Sequence, residues 1–445
     1  VLKRAMVAVV IAVAPVLSGV PEAAAFCGFY VGKADTSLFN EASQVILARD
    51  GWRTTLSMMN DYKGEPSDFA LVVPVPVVLR RDQVKVIEKK TFDRLDAYSA
   101  PRLAEYFDDD PCLPRVLPSP MASSAPDTVR RRGADALGVK VEDSFSVGEY
   151  DIVILSARES DGLETWLVQN GYRIPSGAAP ALRPYILQGM KFFVAKVNLK
   201  AQARTGAQFL RPLQFSFDSE KFMLPMRLGM INATGPQDLI VYVLSREGRV
   251  ESTNYRTVKL PANMTLPTYL RDGRQFTDFY KTMFDQQARR ENYKVVFTEY
   301  FWDMSWCDPC AADPLSREEL LAAGVSWLPP DGGPPPSSQP GRRPPLPPSA
   351  ANPVMLTRLH VRYTPESFPE DLAFQETKDR QNFQARYVLQ HPWRGSPDKC
   401  KAASDYLKAL RERQDREARA LANLTGWDIN DIRRQQSRAP AVTPR

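Results

Sequence analysis

Histidine is the scarcest useful side chain in this 445-residue sequence: there are two, His360 and His391. Imidazole titrates near neutral pH, so any Ser-His-Asp or Cys-His site would have to use one of them. His360 lies inside "TRLHVRY" and His391 precedes Pro392, contexts that read as structural. Gly-x-Ser-x-Gly, Gly-rich phosphate loops and His-Glu-x-x-His are absent, which excludes the corresponding hydrolase, nucleotide and zincin chemistries. Calcium fares no better, because "DDD" at Asp108 to Asp110 fits no known loop spacing. Charge of one sign is also lacking: 58 basic and 52 acidic residues leave +6. With no broad basic face carrying interleaved aromatics, nucleic acid is not an expected partner. Long apolar runs are missing too. "AMVAVVIAVAPVL" is about a dozen residues, short of the roughly 20 that cross a bilayer as a helix.

That short run has a setting. Lys3 and Arg4 precede it, and "PEAAA" supplies small residues before Phe26. The pattern predicts a secretory signal over residues 1–25, cleaved after Ala25, and hence a periplasmic or secreted protein that is not an integral membrane protein. In such a compartment all five cysteines, Cys27, Cys112, Cys307, Cys310 and Cys400, are disulfide candidates. Five is odd, so at least one stays free or pairs between chains.

The sharpest local motif is "SWCDPC", whose Cys307 and Cys310 have thioredoxin-type spacing. A reactive first cysteine wants a helix N-terminus to favour its thiolate. Pro314 interrupts any helix begun at Cys307, and the downstream elements of such a fold do not follow. The pair therefore reads as a structural clip or as two ends of longer bridges, with a catalytic redox pair as the alternative. Zinc would need a second ligand pair, which is missing. No cofactor, metal or catalytic residue is expected; paired carboxylates are too numerous to select a pair.

Along the chain, "QVILARDGWRTTLSMMN" reads as a β-hairpin turning at Asp50-Gly51. "DFALVVPVPVVL", "EYDIVILSA", "KFFVAKVNL", "LQFSFD", "FMLPMRL", "DLIVYVLS", "VMLTRLHVRYTP" and "FQARYVLQHPW" read as strands. "TFDRLDAYSAPRLAEYF" reads as two helical pieces broken at Pro101. "DGLETWLVQNGY" and "APALRPYILQGM" read as helices. In "RQFTDFYKTMFDQQARREN", Phe276, Phe279, Tyr280, Met283 and Phe284 form one apolar stripe. Residues 329–353 hold eleven prolines and predict a disordered insertion. The expected organisation is a main α+β domain over 26–328, strands over 354–396 returning to it, a helical arm over 397–437 and a disordered tail over 438–445. The expected fold class is α+β: an antiparallel sheet core with packed helices on one side.

"CGFY", "DGWRTTL", "DFALVVPVPV", "FDRLDAYSAPRL", "WLVQNGYRIP", "EYFWDMSWCDPC" and "LTRLHVRYT" together resemble the exported bacterial proteins grouped as domain of unknown function 2330. The resemblance implies export and brings no assigned activity, cofactor or catalytic residue. The expected function is accordingly a non-catalytic binding or interaction protein acting on an envelope component or another protein. The alternative is a thiol–disulfide oxidoreductase using Cys307 and Cys310.

Overall fold

A computed structural model of the chain describes residues 29–32, 39–40, 43–59, 62–63, 69–113, 143–156, 166–167, 169, 178–198, 200, 210–232, 235–271, 273–305, 308, 313–328 and 354–438. Its principal elements in chain order begin with strands β1 (Ser43–Asp50), β2 (Arg53–Met59) and β3 (Phe69–Val75), then helix α1 (Lys90–Ser99) and strand β4 (Arg102–Phe107). They continue with β5 (Tyr150–Ser156), α2 (Ala178–Leu187), β6 (Lys191–Val197), β7 (Leu213–Asp218), β8 (Gln237–Ser245) and α3 (Gly273–Arg290). The last are β9 (Val295–Asp303), α4 (Arg317–Ala322), β10 (Met355–Tyr363), β11 (Arg386–His391), α5 (Lys401–Thr425) and α6 (Ile429–Arg438).

Two sheets stack face to face. The five-stranded sheet runs Phe29–Gly32, β3, β6, β5, Asp143–Val147, antiparallel throughout. The nine-stranded sheet runs Arg256–Lys259, β9, β10, β8, β1, β2, β7, Val84–Val86, with Phe383–Gln384 beside β9. Its pairing is antiparallel except where Arg256–Lys259 joins β9 and where β8 joins β1. Period-two alternation explains the stacking. Val45 and Leu47 of β1 meet Leu71 and Val73 of β3 and Phe193 of β6 between the sheets. The alternate residues point the other way. Ile46 and Ala48 face α1 and α4, whereas Val72, Phe192 and Val194 face α2. The α+β class is as expected, but helices cover both outer faces rather than one.

Local chemistry sets the element ends. Asp50 pairs with Arg53, so Gly51 and Trp52 form a two-residue loop, and Gly51 takes the positive φ of 58° that such a turn requires. Ser316 and Glu319 make a capping box on α4. Gly426 at φ 75° ends α5, its N–H returning to Ala422.

Two expectations need correction. Only the first half of "TFDRLDAYSAPRLAEYF" is helical, and the second half is β4. Pro101 forces Ala100 into an extended conformation, and the chain beyond it finds β11 as a parallel partner. "FMLPMRL" supplies only the short strand Met223–Leu224, because Pro225 has no donor for a ladder. The predicted helix in "DGLETWLVQNGY" and the Pro-rich tract lie largely or wholly outside the described residues.

The α3 stripe is buried as predicted: Phe279, Met283 and Phe284 pack with Tyr387 and Leu389 of β11 and with Leu421 of α5. Each such side chain contributes about 1.5–3 kcal/mol on burial. Together they seat α5 on the body of the protein.

Candidate functional site

"TRLHVRY" places Arg358, His360 and Arg362 at alternate positions of β10, with Leu359 and Val361 between them. Leu359 and Val361 enter the core between the sheets, so the three basic residues share the helix-side face. Cations in such a place need counter-charges. Glu299 on β9, Asp238 on β8, Asp96 on α1 and Asp285 on α3 supply them.

Glu299 arrives through a defect in the sheet. The β9–β10 register shifts between Thr298 and Tyr300, leaving Glu299 as the extra residue of a β-bulge. Phe297 before the bulge and Tyr300 after it both face the helices, so the alternation changes phase there. The buried Glu299 carboxylate accepts from Arg358 Nε at 2.6 Å and from the Tyr280 hydroxyl. His360 Nδ1 lies 2.6 Å from it. Arg358 continues to Asp96 at 2.6 Å, and Arg362 bridges Asp238 at 2.6 Å and Asp285 at 3.1 Å. His360 Nε2 faces Asp238 at 3.5 Å, and its ring stacks on Phe284 with centroids 3.7 Å apart.

Burial alone would raise the Glu299 carboxyl, but His360 and Arg358 outweigh it and hold it down at about 2. Burial would lower His360, yet Glu299 and Asp238 raise it above its ordinary value. Carboxylate, imidazole and guanidinium in contact are the components of acid–base chemistry. Here each is engaged by a neighbour, and Tyr280 and Phe284 cover the group from α3. Its work is to fix α1 and α3 on the sheet.

The pH dependence follows from these directions. Glu299 contributes stability above its ordinary 4.5, lost as pH falls toward about 2. His360 contributes fully below its ordinary 6.5, and that part is lost as pH rises through its higher folded value. Urea unfolding should therefore show the largest contribution from this cluster between pH 4.5 and 6.5. His360→Gln should flatten part of the alkaline decline; an unaltered decline would contradict the assignment.

A second cluster lies where β4 ends. Cys112 and Cys400 form a disulfide with Cα atoms 6.0 Å apart, and Cys400 is the N-cap residue just before α5. Beside it Asp108 receives Gln390 Nε2 at 2.7 Å, Arg413 at 2.8 Å and the Tyr406 hydroxyl, while Asp110 holds Lys399. His391 contacts Glu105 at 2.6 Å and stacks on Phe107. Glu417, one helical turn from Arg413, is pushed up to about 7 by burial against the pull of Arg413. An acid raised in the folded state weakens the fold as pH climbs from its ordinary 4.5 to about 7. Glu417→Gln should therefore stabilise the protein by about 1–3 kcal/mol at pH 8 and change little at pH 4. Equal effects at both pH values in denaturant unfolding would refute this.

Of the other cysteines, Cys27, Cys307 and Cys310 lie outside the described residues. Because Cys112 and Cys400 take each other, neither is open to Cys307 or Cys310. Asp308, between those two in sequence, is buried and accepts from Tyr300 at 3.0 Å and Gln384 at 2.9 Å. Among the described residues no group of three or more His, Cys, Asp or Glu side chains is placed to hold a metal ion. No described helix is long and apolar enough to cross a membrane. Sequence reading did not single out Glu299, Arg358 or Arg362; the one signal for them is the Arg-x-His-x-Arg alternation.

Comparison with known proteins gives little beyond a family. No curated protein matches the chain. Among solved structures, a mutated baculovirus P35 after caspase cleavage aligns at 10% identity and a TM-score of 0.24. That alignment covers 45% of this chain and 65% of the other, under two thirds of its length. At that TM-score it carries no argument. The family model DUF2330, described as an uncharacterized protein conserved in bacteria, matches residues 21–375. That span takes in the five-stranded sheet, the nine-stranded sheet except Phe383–Gln384, and the buried ionic cluster, but not β11, Cys400, α5 or α6. The chain belongs to this bacterial family.

Proposed function

We propose that the protein is exported and serves as a non-catalytic binding or interaction protein of the cell envelope. The observation that carries this is a contrast between inside and outside. The Glu299, Arg358 and His360 group is turned inward with its members engaged by one another, whereas apolar surface is presented beside the disulfide. Tyr106 is 45% exposed, Phe107 38% and Leu113 66%. Exposed aromatics on a braced frame suit a binding surface. Export is supported by the leader-like start and by a disulfide, which persists in oxidising compartments. The same reading takes 26–328 and 354–396 as one domain with 329–353 inserted, supported by β10 lying between β9 and β8.

Against thiol–disulfide exchange stands Pro314, which interrupts any helix begun at Cys307 whose N-terminus would favour a thiolate.

Co-sedimentation of the mature protein with isolated envelope membranes and with peptidoglycan sacculi tests the proposal. Wild type should pellet with one of them, and Tyr106→Ser with Leu113→Ser should weaken binding about tenfold or more. Failure to pellet with either would refute it. Insulin reduction abolished by Cys307→Ser would establish the enzyme reading instead.

A further inference from the structure

β4 is the outer strand of a small parallel sheet, Met264–Leu266, β11, β4, and no described strand lies on its other side. The direction of its backbone groups follows from the ladder. Arg102 N donates to Ala385 O at 3.2 Å and Asp108 N to His391 O at 2.9 Å, with Arg102 opposite Arg386. In a parallel ladder alternate residues turn both N–H and C=O to the partner. Arg102, Ala104 and Tyr106 therefore serve β11, and Leu103, Glu105 and Phe107 present theirs outward.

Sheet edges are ordinarily guarded by charge, proline or a bulge. Another edge of this protein is guarded so: Arg256–Lys259, at the end of the large sheet, carries exposed Arg256 and Lys259. β4 has neither proline nor bulge. Its two charged residues are turned back, Glu105 to Arg271 and His391 and Arg102 to the Tyr98 carbonyl. The strand is also held rigid, by Asp108 against Arg413 and Gln390 and by the disulfide five residues beyond Phe107. A preorganised edge with outward donors and acceptors is a template for one more strand.

We infer that β4 is a strand-addition site for an extended peptide segment of another protein, with a basic side chain set to meet Asp109. This rests on the binding reading and names the partner's chemistry. Asp109 is exposed beyond the end of β4 and has no partner among the described residues, which gives the basic preference. A second copy fits poorly. In the antiparallel register that sets Leu103, Glu105 and Phe107 against the same three residues of the copy, Glu105 would lie opposite its own counterpart, a destabilising like-charge pair.

Amide hydrogen exchange and an immobilised library of blocked random octapeptides test the inference. In dilute protein alone, the amides of Leu103, Glu105 and Phe107 should exchange fast while those of Ala104 and Tyr106 are protected. Retained peptides should be enriched in lysine or arginine and should protect the three outward amides. Glu105→Pro removes one outward donor without touching the ladder to β11, and should weaken a retained peptide about tenfold. Glu105→Gln keeps the donor and should bind within about threefold of wild type. An unchanged melting temperature in either variant certifies the fold, and Tyr106→Lys, which leaves every backbone donor in place, supplies a second blocked edge should proline unfold the strand. Protection of the outward amides in dilute protein would mean that residues 114–142 or another part of this chain already cover the edge, and would overturn the proposal. Protection rising with protein concentration would assign the edge to a second copy and overturn it equally. Sedimentation with an envelope fraction while no peptide is retained would leave the binding reading standing and remove strand addition.

Discussion

Arg358→Met is expected to lower the unfolding free energy by about 3–5 kcal/mol, the usual loss when one partner of a buried ion pair is removed. Glu299 is fully buried, and without Arg358 it keeps only His360 as a cation in contact. Asp96 loses its cation in the same step and keeps only the Tyr242 hydroxyl, so α1 is loosened as well as α3. The charge left behind causes most of the loss. Removing it as well, in Arg358→Met with Glu299→Gln, should therefore recover part of the stability. The double variant should be less damaged than the sum of the singles by about 1–3 kcal/mol. Urea midpoints measured with an unchanged slope decide the matter. A single-variant loss below about 1 kcal/mol would mean that the pair is effectively solvated.

Loss of the Cys112–Cys400 bond should rank next, at about 2–4 kcal/mol. The two cysteines are 288 positions apart, so the bond removes much of the closure entropy of the unfolded chain. What limits the loss is that the same place is held non-covalently, through Asp108 with Arg413 and Asp110 with Lys399. Cys112→Ser, Cys400→Ser and the double variant should each cost nearly the same, because either change removes the whole bond. Wild type unfolded in the presence of reductant should match them. Insensitivity of wild type to reductant, with both single variants near wild type, would show that the bond contributes nothing to stability.

How much of this was legible beforehand depends on the range of the information. The β1–β2 hairpin and the α3 stripe are written in neighbouring residues, through Gly51 and through the spacing of Phe279, Met283 and Phe284. The strand carrying Arg358, His360 and Arg362 was legible, but the two arginines were not singled out, although their alternation with His360 puts all three on one face. Their acids were not, since Glu299 reaches them by a bulge and Asp96 comes from a helix far away in sequence. The sequence of β4 predicts a helix because helix and strand are locally balanced after Pro101, and its pairing with β11 decides the outcome. Disulfide partners belong to the same class. Spacing along the chain says nothing about Cys112 and Cys400, which meet only once β4 and α5 are both in position.

That bond also fixes an order of events. A ribosome delivers Cys27 and then Cys112, next Cys307 and Cys310, and Cys400 last of the five cysteines. Wherever oxidation begins before synthesis is complete, three wrong partners are available to Cys112 before the right one exists. Its pairing is non-consecutive, so the native bond must either wait for the last tenth of the chain or be reached by exchange from an earlier one. The finished protein should thus depend for its yield on a disulfide-shuffling catalyst more than its single described crosslink would suggest.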